Sequence, residues 1–71
     1  GIDPWLENAA READARGNRS AEVLHVLATA ALCDREYARA HHLFEEAARK
    51  GDKDALTLAH LAADLEEDAR F

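Results

Sequence analysis

Two adjacent histidines, His41 and His42, are followed one helical turn later by Glu45 and Glu46 in the stretch HHLFEE. Imidazoles and carboxylates at this spacing are the donor types that hold divalent metals, so the first question is whether these four side chains converge. On a helix His41 faces Glu45 and His42 faces Glu46, while successive side chains point about 100° apart. A zinc site needs three or four ligands around one point, and no second cluster supplies the carboxylates of a di-iron bundle. The pattern is therefore read as a solvated helix face with hydrogen bonds between residues four apart, and no metal or cofactor is expected.

The remaining candidates for chemistry are weaker. Cys33 would need a histidine base within reach to act as a nucleophile, and His25 lies two turns earlier on the same helix, which is too far. A structural or partly exposed thiol is the expectation. The acidic run DLEED, from Asp64 to Asp68, lacks the glycine and the alternating oxygen ligands of a calcium loop. It reads as another solvated face. Trp5 is expected to cover the open end of the helices rather than to bind a ligand. No set of residues supports catalysis, so the chain is not read as an enzyme.

The elements that position these residues follow from the punctuation. Asp3 before Pro4 is a helix opening, Gly17 and Asn18 a stop, and Ser20 a cap for the next segment. Asp34 marks a tight break, and Gly51 a second stop with Asp52 or Asp54 as the next cap. Four antiparallel helices are predicted over about 4–16, 21–33, 35–50 and 55–70. Valine, isoleucine and threonine together number five, and no segment alternates at period two, so strands are not expected. The fold class is all-α.

Composition bounds what such a fold can do. The 71 residues allow one small domain, and many of the apolar residues are alanine, so the core must be thin and closely packed. A net charge of -6 with scattered basic residues argues against nucleic acid as a partner. The single cysteine excludes an intrachain disulfide, and no apolar run of about 18 residues is present to enter a membrane. A cytoplasmic setting is expected. The leading Gly1, with no methionine before it, is what a processed or excised chain would show.

A shift of 34 residues superposes Ala13 on Ala47, Gly17 on Gly51, Ala21 on Ala55, Leu24 on Leu58, Leu27 on Leu61, Ala28 on Ala62 and Asp34 on Asp68. Tyr37 falls on Phe71, aromatic on aromatic. The matched positions are helix stops and apolar faces, the places a stacked unit has to keep. This register, with Leu24, Leu27, Ala28 and Ala31 on one helix and Tyr37, Ala40, Phe44 and Ala47 on the next, resembles the tetratricopeptide repeat (TPR). The stretch LFEEAARKGDKDAL is also similar to Sel1-like repeats, although the longer period of that family is absent. The resemblance implies an α-solenoid fragment, a single domain over residues 1–71 with one complete unit at about 21–54 between two half units. Roughly three units are the usual minimum for stability, so a flanking array or self-association is also implied.

In that family the first helices of successive units line a concave groove, which would here be formed by the second and fourth helices. The residues that resemblance assigns to a partner are Glu22, His25, Val26, Thr29 and Cys33, with Ala59, His60, Ala63, Glu66 and Glu67. No basic residue of these helices faces the groove, so a clamp for a partner's terminal carboxylate is not carried over. An apolar middle with an acidic end suits a protein or peptide segment, above all an amphipathic helix with basic flanks. The expected function is non-catalytic protein binding. The alternative is an oligomerisation or scaffold element that pairs two copies through the same apolar surface. His25 and His60 within an apolar contact imply binding that weakens on mild acidification.

Overall fold

A computed structural model describes residues 2–70, and the expected match of Tyr37 to Phe71 lies outside them. Four helices run over Pro4–Ala15 (α1), Ala21–Cys33 (α2), Tyr37–Arg49 (α3) and Ala55–Asp68 (α4), with no strand among the described residues. Each packs on the next in chain order. None is long and apolar enough to cross a membrane.

The helix ends explain themselves residue by residue. Asp3 accepts a hydrogen bond from the Trp5 amide at 2.9 Å, and Pro4 occupies the first turn, where its missing N–H costs nothing. After α1, Gly17 takes φ 86°, and the Asn18 and Gly17 amides donate to the carbonyls of Ala13 and Asp14. After α3, Gly51 takes φ 107°, and the Asp52 and Gly51 amides donate to Ala47 and Ala48 in the same pattern. Both are left-handed caps in which a β-carbon would strain the backbone. No atom crowds either position, so conformation alone selects glycine.

These two turns lie 34 residues apart and share further bonds. Asn18 Oδ1 accepts from the Ser20 amide, and Asp52 Oδ1 from the Asp54 amide. Likewise α1 and α3 end at Ala15 and Arg49, and α2 and α4 begin at Ala21 and Ala55. The caps then diverge. The Ser20 hydroxyl accepts from Val23, whereas the Asp54 side chain caps nothing and Asp52 takes the Ala55 amide instead.

Helix α3 starts two residues later than the sequence suggests. Arg35 adopts φ 62° and its amide donates to Leu32, while the Glu36 amide donates to Ala31. The break after α2 is thus the same left-handed cap built without glycine.

The core is one seam shared by three helices. It consists of Leu24, Ala28 and Ala31 from α2, Ala40, Phe44 and Ala47 from α3, and Ala55, Ala59 and Ala62 from α4. Among the described residues, only Phe44 and Leu24 are large and fully buried. The alanines between them let the helix axes approach until Phe44 fills the remaining space. Helix α1 adds Ala10 against α2. Leu27 is 5% exposed and Leu61 46%, because α2 lies between two neighbours whereas α4 packs mainly on α3. Trp5 is 77% exposed and covers no end of the stack, contrary to expectation.

Candidate protein-binding surface

Helix α2 presents a ridge, Glu22 and Val26, one turn apart on the same face. On one side the ridge borders a groove lined by Ala21, His25, Lys50, Gly51 and Asp52. On the other it borders a groove against α1 lined by Leu6, Ala9, Ala10 and Val23. The first groove is polar at its rim and the second is apolar throughout except for Glu22.

The polar groove is fixed by a bond between distant parts of the chain. His25 Nδ1 donates to Asp52 Oδ2 at 2.6 Å, and the imidazole meets Phe44 edge to face with centroids 5.6 Å apart. The His25 hydrogen bond, with further bonds from the Asp54 and Ala55 amides, holds the Asp52 carboxyl below its usual range against the opposing effect of burial. An ionised carboxylate only accepts, so Nδ1 carries the hydrogen. Lys50 is a basic residue in the groove, which the sequence reading did not place there because it belongs to the cap of α3. Its ammonium donates to the Arg19 carbonyl. Thr29 spends its hydroxyl on the His25 carbonyl at 2.8 Å.

The ten residues assigned from sequence do not form one surface. Glu22, His25 and Val26 come together, and Thr29 and Cys33 continue along α2, half-buried and exposed respectively. Ala59 is a correction, since it is buried in the core seam rather than open to a groove. The stripe Ala55, Ala59, Ala62 has the spacing of one helix face, and that face lies in the seam shared with α3. Glu66 lines a separate groove with Arg35, Glu36, Tyr37 and Arg39, away from the α2 residues. Ala63 is half-buried, and His60 and Glu67 are exposed. Leu6, Ala9, Val23, Lys50 and Asp52 were missed. The link from His25 to Asp52 spans 27 positions and leaves no local pattern to read.

The histidine pair also departs from expectation. Both rings turn to Glu45, with His41 Nε2 at 3.3 Å and His42 Nδ1 at 3.5 Å from Oε1. Glu46 pairs with neither. Arg19 takes it with two parallel bonds, Nη2 to Oε1 at 2.8 Å and Nε to Oε2 at 3.1 Å. That bonding draws the Glu46 carboxyl below its usual range and pushes the Arg19 guanidinium further up. His41 is not a solvent-facing group either, because its Nδ1 donates to the Ala59 carbonyl of α4 at 2.9 Å.

No family model matches the chain, and no curated protein or solved structure is significantly similar to it.

Proposed function

We propose that the chain is a non-catalytic protein-interaction module, TPR-like in its architecture, that holds an amphipathic helical segment of a partner along α2. The observation that carries this reading is the Glu22–Val26 ridge between two grooves of different character. An apolar stripe fits against Leu6, Ala9 and Val23, while polar side chains of the same segment reach His25 and Asp52. Glu22 and the net negative charge favour a cationic partner helix. The absence of a disulfide partner for the exposed Cys33 fits a reducing, cytoplasmic setting. A test is to titrate the labelled protein with an amphipathic leucine–lysine peptide and follow backbone amide shifts. Shifts centred on Leu6, Ala9, Glu22, Val23 and Val26 and extending to His25 and Asp52 support the reading. Their absence, or shifts centred on α4, would refute it.

A second reading, self-association, is favoured by where the exposed large apolar residues lie. Trp5 and Leu6 are on α1 and Leu56 and Leu61 on α4, the two ends of the stack. One copy's α4 against another's α1 would cover all four. In that case sedimentation equilibrium gives a concentration-dependent mass for the parent and a monomer for Leu61→Glu.

A further inference from the structure

We propose that His41, His42 and Glu45 form a binding site for a divalent first-row transition metal, zinc above all. His41 Nδ1 gives its hydrogen to the Ala59 carbonyl, which can only accept, so in the neutral ring the free lone pair is on Nε2. That lone pair stands 3.3 Å from Glu45 Oε1, another acceptor. Two acceptors facing each other at this distance repel unless a proton or a metal ion lies between them, and the second imidazole on the same oxygen is what favours the metal. His42 Nδ1 is 3.5 Å from the same oxygen, and donor atoms of the three residues lie within 4.8 Å of one another. Ligands bonded at about 2.0–2.1 Å to a tetrahedral ion sit roughly 3.3 Å apart, close to both spacings.

The bond from His41 to Ala59 adds a second, independent feature. It ties the ring to a neighbouring helix, fixes the tautomer and leaves Nε2 free beside Glu45, the arrangement in which metal-binding histidines are commonly held. Two imidazole nitrogens and one carboxylate oxygen suit zinc, nickel or copper, whereas calcium and magnesium require more oxygen donors. His42 is 76% exposed, so the remaining coordination positions are open to water.

The test is calorimetric titration of untagged, chelator-treated protein with zinc chloride, alongside His42→Gln, Glu45→Gln and, as a control outside the cluster, His60→Gln. The parent should take up one equivalent. Removing a ligand should weaken binding at least as much as removing a supporting residue does, about tenfold or more. His60→Gln should bind as the parent does. Thermal melts without zinc establish that each variant folds, and the exposure of His42 makes H42Q the safest of the three. The site is refuted if the parent takes up no zinc, if H42Q and E45Q bind zinc as the parent does, or if H60Q weakens binding equally.

Discussion

Arg19 joins three parts of the chain, donating to Asp14 of α1 and bidentately to Glu46 of α3 while its own carbonyl accepts from Lys50. The side chains are partly exposed, so the energy is modest, and Glu46→Gln should cost about 0.5–1 kcal/mol at pH 7. The pH dependence has a definite sign. Glu46 and Asp52 both have folded-state values below their ordinary 4.5 and 3.8. Their contributions are present above those values and are lost as pH falls through the lower, folded ones. Melting temperatures of Glu46→Gln and Asp52→Asn should therefore lie below the parent's at pH 7 and converge with it in strong acid. A constant gap across the pH series would contradict the assigned pairs. The His25 ring, expected within an apolar contact, faces the Asp52 carboxylate instead. His41 and His42 separate in the same way. His41→Ala deletes the bond to Ala59 and should cost about 1 kcal/mol, whereas exposed His42→Ala should stay within about 0.5. Helical spacing alone pairs His42 with Glu46. A long-range arginine overrides that pairing, and nothing near position 46 announces it.

At the scale of elements, the turns were legible where a side chain or glycine carries the cap and not where the backbone does so alone. Ser20 marked the start of α2 and the two glycines the ends of α1 and α3, whereas Arg35 hid a left-handed cap behind an ordinary residue. The strain at that position is testable with opposite signs at two sites. Arg35→Gly should raise stability by about 0.5–1 kcal/mol, and Gly51→Ala should lower it by about 1–2 kcal/mol. Denaturant midpoints of the two variants check this, and shifts in the same direction would contradict it. The alanines of the seam were also legible, because Ala28 and Ala40 occupy positions where two helices must approach. Both are fully buried, so Ala28→Leu or Ala40→Leu should overpack the contact and cost about 1–3 kcal/mol. Thermal melts matching the parent's would place the seam elsewhere.

For the whole molecule, the serial stacking of α1 to α4 leaves open the grooves beside α2, the groove at Glu66 and the apolar side chains of the two end helices. Only part of the first could be read from sequence. Glu22, His25 and Val26 lie together on α2, but their neighbours come from α1 and from the turn after α3, and Ala59 is drawn into the core. A groove is made by how helices are set against each other, which a single helix's periodicity does not specify. The ridge residue Val26 borders both grooves, whereas Leu61 belongs to the α4 end. Calorimetric titration of a leucine–lysine amphipathic peptide into the parent, Val26→Arg and Leu61→Glu therefore tests the central claim most directly. Binding that V26R abolishes and L61E leaves unchanged is the predicted result. Binding that survives V26R and is lost in L61E would contradict it, moving the interaction surface from α2 to the end of the stack.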